Sequence, residues 1–453
     1  MTPGGERRWS SSVMFFAAAI GSAVGISNVW KFTFVAGENG GGAFVLIYVA
    51  AVALIALPAL IAEFLVGRRG GASVVRGMAL LHQRDGIGRA WHWYGLMAAI
   101  GAFVALSFYA VVAGWTVDYF VHAVLRPASG TTVERAAAEL DALFASPGRM
   151  MLAQLAFLSA TGVTVAAGVR RGLERALGWL TPTLFLLLLA LLAYAVVAGD
   201  FAAGLRFMFV PDFSRITGAI VLTAVGQAFF SLGIGLGVLF TLGAYMDDKT
   251  SVVRAGIVVA AADVGVALLA GMAVFPIVFA NGLSPAEGPG LIFATLPVAF
   301  GQMPGGLVVA PLFFALMAIA ALTSAITIAE TVVAAVEDYS RWPRWRISLV
   351  LTVSLWFVGL GTVYSFNRLA EFHPLGFLPV FADRNIFESL DYVVSNFMMP
   401  VGGVLVAILA SWSLRREVSA QAFTGSTRAF QVWLVLTRYV APVAITLVFV
   451  VNL

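Results

Sequence analysis

Long apolar stretches alternate with short polar segments along nearly the whole chain. These stretches predict eleven membrane-crossing helices, here called spans 1 to 11, near residues 13–36, 42–66, 91–124, 149–168, 173–198, 217–246, 252–280, 306–337, 345–366, 387–413 and 429–452. At about 1.5 Å per residue, helices of this length cross a hydrocarbon core of about 30 Å. Stretches such as 184–197 are apolar on every face, which excludes a barrel of alternating polar and apolar strands.

Composition agrees with this pattern, since 61% of the residues are hydrophobic and 11% are charged. We therefore predict an all-α polytopic membrane protein with one transmembrane domain over residues 1–453. The absence of cysteine excludes disulfides, iron–sulfur clusters and thiol catalysis, and the four histidines lack ligand spacing. The intramembrane carboxylates Glu63, Asp263 and Glu330 lie on different spans. An enzyme is therefore not expected.

Most of the 27 Lys and Arg residues fall on one side of the predicted membrane. The positive-inside rule then places the N-terminus inside and the C-terminus outside. The net charge of +4 lies on inner loops, which favours contact with anionic lipids over nucleic-acid binding. Arginine far exceeds lysine, which suggests a bacterial inner membrane. Residues 131–146 predict a surface helix, and residues 284–306 predict an outer lid that folds back on the protein.

Two spans carry glycine clusters at their centres, in residues 21–28 of span 1 and 231–237 of span 6. Glycines also occur where helices pack closely, so either cluster alone is weak evidence for a site. Spans 1 and 6 begin two successive sets of five spans, at 9–198 and 217–413, followed by span 11. An odd number of spans inverts the second set, so we predict two inverted repeats with broken helices 1 and 6.

The chain resembles bacterial neurotransmitter:sodium symporters of the leucine-transporter type. The resemblance covers essentially the whole chain, and its motifs lie at residues 8–9, 21–30, 38–44, 63 with 67–68, 225–232 and 320–324. It implies the leucine-transporter fold and Na⁺-driven uptake of an amino acid by alternating access, without covalent catalysis. Self-association is left open, because this chain ends after span 11 where many relatives have a twelfth span.

The resemblance implies two sodium sites. The first would comprise Ala23, Asn28, Ser231 and Asp263, with the substrate carboxylate; the second would comprise Gly21, Val24, Ala320, Thr323 and Ser324. All supply the hard oxygen donors that a hard cation prefers. Asp263 departs from the family pattern, and we expect its charge to replace chloride, so that chloride is not required. The alternatives are hydroxyl back-bonding by Thr323 and Ser324, and an Asp263 that faces a water-filled cavity.

By the same resemblance, substrate binding involves small and apolar residues of spans 1, 3, 6 and 8. They are Ala23, Gly25, Ser27, Ala105, Tyr109, Phe230, Ser231, Gly233, Leu236, Ser324 and Ile328. Relatives that carry monoamines have Asp at the position of Gly25, whereas glycine leaves room for the substrate's own carboxylate. We expect a hydrophobic or aromatic L-amino acid. The alternatives are an amino-acid sensor of similar fold and a symporter for small or betaine-like substrates.

The resemblance also implies two gates and a sodium-release segment. The outer gate would pair Tyr109 with Phe230 and Lys31 with Asp391. The inner gate would join Trp9 and either Arg7 or Arg8 to Asp338, helped by Tyr245, with Glu330 in the inner pathway or paired with this latch. Gly172 and Pro182 of span 5 would release the second sodium.

Overall fold

The computed structural model describes residues 8–126, 130–247, 249–287, 290–423 and 426–451. Across these residues the chain is helical and contains no strand. Nine of the helices described are long and apolar enough to cross a membrane: span 2 at Gly42–Gly70, span 3 at Trp91–Leu125, span 4 at Pro147–Ala166, span 5 at Val169–Ala198, span 7 at Val252–Ala280, span 8 at Gly306–Glu337, span 9 at Arg344–Tyr364, span 10 at Ile386–Ser413 and span 11 at Thr427–Val451. The predicted all-α membrane architecture is confirmed.

Span 1 is broken at its centre. Its two halves are Ser12–Ala23 and Ser27–Glu38, called inner and outer after the orientation predicted from the sequence, and their axes are bent by 47°. Ser11 caps the start of the inner half, since its hydroxyl accepts the Met14 N–H at 3.3 Å. It ends where Val24 adopts an extended backbone with φ −78° and ψ 92°. The predicted break in span 1 is therefore confirmed.

Span 6 is also broken, into Gly218–Leu232 and Val238–Ala244. Gly233, Gly235 and Gly237 in the connecting segment have φ values of 64°, 95° and 73°. Residues with a side chain rarely adopt such values, so the glycines of the predicted cluster are what allow the helix to stop and restart here. Neither half of span 6 is long enough to cross a membrane alone, so the described residues show nine crossing helices, or ten when the bent pair of span 1 counts as one.

Shorter helices connect the spans. They are Val74–Asp85, Val133–Phe144, Phe201–Phe209, Leu291–Thr295 continuing into Leu296–Gln302, and Arg416–Ala420, with 3₁₀ turns at Phe213–Arg215 and Pro379–Phe381. The helix Val133–Phe144 matches the predicted surface helix. Leu291–Gln302 is the predicted lid, and it folds into the protein, since Phe293 is buried against the rings of Trp30, Trp115 and Tyr119 at 5.2–5.9 Å.

Close helix packing fixes the inner half of span 6 against span 2. A Cβ added to Gly67 would lie 2.1 Å from the Phe240 carbonyl oxygen, and one added to Gly243 would lie 2.7 Å from the Phe64 carbonyl oxygen. Only glycine permits these backbones to approach so closely. This packing fixes span 6 beyond its break, and a 3.2 Å bond from the Asn28 Nδ2 to the Ser231 Oγ brings the breaks of spans 1 and 6 together.

Candidate substrate and sodium site

The broken segment of span 6 exposes backbone N–H groups that a continuous helix would satisfy. Glu63 of span 2, which is fully buried, accepts the Gly235 N–H at 3.0 Å and the Phe240 N–H at 3.4 Å. A carboxylate is a strong acceptor for such groups and is rarely tolerated inside a span without partners. The sequence places Glu63 in the membrane but does not reveal this role, since its partners are 172 and 177 residues away.

A cluster of buried polar side chains joins spans 1, 2, 6 and 7. The Asn28 Nδ2 donates to Asp263 Oδ1 at 2.7 Å and to the Ser231 Oγ at 3.2 Å. The Ser231 hydroxyl lies 2.9 Å from each Asp263 carboxylate oxygen, and the Tyr48 hydroxyl donates to Asp263 Oδ2 at 3.1 Å. Asp263 is fully buried. Three of the four residues predicted for the first sodium site thus lie in direct contact, and the fourth, Ala23, ends the inner half of span 1.

The break in span 1 is tied to the same cluster. The Gly25 N–H donates to Asn28 Oδ1 at 3.0 Å, and the Ser27 hydroxyl donates to that oxygen at 3.3 Å. Asn28 therefore connects the irregular backbone of span 1 to the carboxylate of Asp263. The Asp263 carboxylate and the Ser231 hydroxyl are hard oxygen donors of the kind that an alkali cation prefers, whereas Asn28 turns its NH₂ group toward them.

A second cluster joins the break in span 1 to span 8. The Thr323 hydroxyl donates to the Ala320 carbonyl at 2.9 Å and lies 3.5 Å from the Val24 carbonyl. The Ser324 hydroxyl donates to the Ser22 carbonyl at 3.1 Å and lies 3.5 Å from the Ala320 carbonyl. The hydroxyls thus back-bond within span 8 and also reach across to span 1. All oxygens of this cluster are again hard donors.

Gly21 lies at the same junction. A Cβ added to Gly21 would stand 2.5 Å from the Thr181 hydroxyl of span 5 and 3.5 Å from the Thr323 Cβ of span 8. Glycine therefore allows spans 5 and 8 to approach span 1 from two sides. The predicted second-site residues Gly21, Val24, Ala320, Thr323 and Ser324 form one contiguous group.

Several of the predicted substrate residues lie at the two breaks. A Cβ added to Gly25 would lie 2.6 Å from the Ser324 Oγ, and the Tyr109 hydroxyl donates to the Ala321 carbonyl at 3.3 Å. A Cβ added to Gly233 would have no neighbour within 4 Å. The remaining residues are buried or partly buried on spans 3, 6 and 8: Ala105, Phe230, Leu236 and Ile328.

The outer gate residues adopt an arrangement that differs from a simple ion pair. The Lys31 Nζ lies over the Phe230 ring, 3.4 Å from its centroid, which is a cation–π contact. Asp391 accepts the Ser395 hydroxyl at 2.7 Å. Among the residues that the structure describes, no Lys31–Asp391 ion pair within 4.0 Å is formed. Tyr109 and Phe230 are both partly buried.

At the inner end, Trp9 is buried against the end of span 6. Its indole N–H donates to the Leu242 carbonyl at 3.4 Å, its backbone N–H donates to the Tyr245 carbonyl at 3.3 Å, and the Trp9 and Tyr245 rings lie 6.3 Å apart. Asp338 accepts the Ser73 N–H at 3.0 Å and lies 3.8 Å from Arg76. Of the two predicted latch arginines, Arg7 lies outside the described residues.

Glu330 belongs to a buried network beside this gate. Its carboxylate accepts the Tyr245 hydroxyl at 2.8 Å and pairs with Arg344 of span 9, which also pairs with Glu337 at 3.0 Å. Arg344 further donates to the Val165 carbonyl of span 4 at 2.8 Å. Glu330 therefore contacts Tyr245, one of the residues predicted for the inner gate. Sequence reasoning named Glu330 but missed Arg344, whose position in a predicted inner loop gave no sign of a buried partner.

The two residues predicted to release sodium, Gly172 and Pro182, lie at different positions along span 5. Gly172 is buried in a π-helical turn at Val169–Leu173, where an added Cβ would lie 1.9 Å from the Thr164 carbonyl oxygen of span 4. Pro182 lies inside the helix Glu174–Ala198, and the adjacent Thr181 hydroxyl donates to the Ala17 carbonyl of span 1 at 3.1 Å. Span 5 is thus bonded directly to the inner half of span 1.

Two helices broken at the centre of the bundle, with polar side chains gathered around both breaks, define a transporter of the leucine-transporter fold. The fold is shared with MhsT in complex with L-phenylalanine, at a TM-score of 0.89, 36% sequence identity and coverage of 98% of this chain and 99% of that one. The chain belongs to the sodium:neurotransmitter symporter family, whose sequence model matches residues 6–132 and 126–453.

Bacterial relatives agree with this assignment. The uncharacterized sodium-dependent transporter YhdH of Bacillus subtilis is 34% identical over 98% of this chain and 96% of its own length. An uncharacterized sodium-dependent transporter of Haemophilus influenzae is 30% identical over the full length of both chains. The protein is a sodium-dependent transporter with multiple membrane spans, and these relatives are transporters, not enzymes.

Proposed function

We propose that the protein imports a hydrophobic or aromatic L-amino acid together with Na⁺ by alternating access. The observation that carries this proposal is the buried cluster of Asn28, Ser231 and Asp263 directly beside the broken backbone at Gly25. A substrate carboxylate placed at that break would lie next to a cation held by the cluster. Binding of the two would then be mutually dependent, which is the requirement for coupled transport.

In the first sodium site, Asp263 supplies the formal charge and Ser231 a neutral hydroxyl oxygen. Asn28 would supply its amide oxygen by exchanging the NH₂ bonds that it makes to Asp263 and Ser231. Tyr48 orients the carboxylate through its 3.1 Å bond. Because Asp263 already places a fixed negative charge beside the cation, a chloride ion would face electrostatic repulsion there. We therefore propose that transport does not require chloride.

In the second sodium site, Thr323 and Ser324 supply hydroxyls, and Gly21, Val24 and Ala320 supply carbonyls. Their contacts join span 1 to span 8, so a cation at this position would hold the inner half of span 1 in place. Gly172 and Pro182 flank the part of span 5 that packs on the same junction through Thr181. Rearrangement of span 5 would expose this site to the inner solution.

The substrate proposal rests on space at the breaks. Gly25 has no side chain that could occupy the position proposed for the substrate carboxylate, and a Cβ there would press on the Ser324 Oγ at 2.6 Å. The open space around Gly233 and the apolar side chains of Phe230, Leu236 and Ile328 suit a bulky apolar group. The bound L-phenylalanine in the MhsT structure agrees with this choice. Selectivity among apolar side chains should be loose, because each buried methylene contributes only about 0.8 kcal/mol.

We place the protein in a bacterial inner membrane, with the N-terminus inside and the C-terminus outside. The excess of basic residues on the predicted inner loops supports this orientation. Trp9 and Asp338 then close the cytoplasmic side, while Lys31 and Phe230 lie toward the outside.

The test is thermal stabilisation of the detergent-purified protein by each of the twenty L-amino acids, in Na⁺ and in K⁺. A ligand that binds the folded state raises its melting temperature by mass action. We expect phenylalanine, leucine and related residues to stabilise in Na⁺ alone, and counterflow in proteoliposomes to show exchange. Stabilisation by small amino acids alone would refute the pocket assignment, and binding without exchange would indicate a sensor.

A further inference from the structure

The segment that enters span 1 is fastened to span 5 as well as to span 6. The Ser10 N–H donates to Glu174 Oε1 at 2.5 Å, and the Ser10 hydroxyl donates to Glu174 Oε2 at 2.7 Å. Arg170 Nε donates to the Arg8 carbonyl at 3.2 Å. Glu174 is 7% exposed, so its carboxylate is shielded from competing water. Hydrogen bonds to an ionised group are about twice as strong as neutral ones.

Local structure at the start of span 5 places these two side chains. Gly168 has a φ of 85°, and the π-helical turn Val169–Leu173 follows it directly. Gly172 lets this turn press against span 4. Arg170 and Glu174 then both reach residues 8–10.

The fastened segment is the same one that closes the inner end of the transporter. Trp9 lies between Arg8 and Ser10 and is 4% exposed, with its indole N–H bonded to the Leu242 carbonyl. Residues 8–10 are therefore held from two directions, by span 6 through Trp9 and by span 5 through Glu174. Withdrawal of Trp9 requires the Ser10 bonds to break or Glu174 to move along with Ser10.

We propose that Glu174 is a positioning residue of the inner gate, whose carboxylate holds residues 8–10 in the closed position. The inference rests on the proposed alternating-access function. The two donors to the Glu174 carboxylate are the backbone N–H and the hydroxyl of Ser10. The closed state therefore depends on an ionised carboxylate that can accept both bonds. Arg170 supports the same position through the Arg8 carbonyl. Opening of the inner side is thereby linked to the inner end of span 5.

The experiment uses the absence of cysteine from the chain. In a Leu242→Cys background, a single thiol lies at a position that is 1% exposed and adjoins the Trp9 indole. The rate of its modification by a membrane-impermeant methanethiosulfonate reagent in Na⁺, without substrate, reports opening. We expect Glu174→Gln to raise this rate about tenfold, the change that corresponds to losing one charge-assisted hydrogen bond.

Three controls make the outcome decisive. Glu417→Gln removes an exposed carboxylate of the helix Arg416–Ala420 and should leave the rate unchanged, while Trp9→Ala should raise it. If Trp9→Ala raises the rate and Glu174→Gln does not, the proposal is overturned. Should Glu174→Gln fail to fold, Arg170→Ala tests the same segment. We expect it to raise the modification rate by a smaller factor, and a rate equal to that of the parent protein would contradict the proposal. Labelling needs no substrate, so this result is independent of the amino-acid assignment.

Discussion

Replacing Asp263 by asparagine removes the only formal charge in the cluster with Asn28, Ser231 and Tyr48 while preserving its shape. One of the two oxygens becomes an NH₂ group, which faces donors at 2.7–3.1 Å instead of accepting from them. A cation about 4 Å from a unit charge gains about 4 kcal/mol at an effective dielectric constant of about 20. Part of this gain is offset, because the carboxylate also loses its hydration.

We expect the Asp263→Asn variant to bind Na⁺ about 10–100 times more weakly, which corresponds to about 1.4–2.7 kcal/mol. The measurement is the Na⁺ concentration that gives half-maximal stabilisation by phenylalanine. Chloride supplies a mobile negative charge, so it should improve Na⁺ binding by the variant and leave the parent protein unchanged. Unaltered Na⁺ affinity in the variant, or loss of transport by the parent when gluconate replaces chloride, would refute the reasoning.

Three further substitutions test the neighbouring parts of the site. Gly25→Ala places a methyl group 2.6 Å from a hydroxyl of span 8 and should abolish amino-acid stabilisation, whereas Gly218→Ala, with no neighbour within 4 Å, should not. Thr323→Val keeps the side-chain shape but removes the Thr323 hydroxyl from the second sodium site, so transport should need a higher Na⁺ concentration. Thr183→Val is the matched control, because it removes only a hydrogen bond within its own helix. Glu330→Gln breaks a buried ion pair and should lower the melting temperature, at a cost of about 3 kcal/mol in unfolding free energy.

The sequence predicts the spans and their breaks well, because both depend on local patterns. Membrane-crossing helices need long apolar runs, and those runs end where polar residues resume. The break in span 6 is equally local, since Gly233, Gly235 and Gly237 lie within five residues and all adopt positive φ. No distant contact has to be known to anticipate either feature.

The clusters around the breaks are less local, and the resemblance to a known family located them. Asn28 and Asp263 are 235 residues apart, and nothing in the apolar pattern of span 7 indicates that they meet. Their contact depends on how spans 1 and 7 pack. Motif residues can be carried over one by one, but only the packed helices show that Asn28 donates to both Ser231 and Asp263.

The contacts at the inner side of the protein were the hardest to predict from the sequence. Glu174, Arg344 and Arg170 lie at span ends, where charged residues are ordinary and usually face water or lipid headgroups. The fold instead brings Glu174 to Ser10 and Arg344 to Glu330, so charges that look peripheral in the sequence become buried contacts between helices. Separating such buried partners without new partners for both is costly in free energy. These contacts therefore favour two discrete conformations over a continuous range of intermediate ones. Such contacts suit a gate that must be either closed or open, which is the behaviour proposed above for residues 8–10 and Glu174.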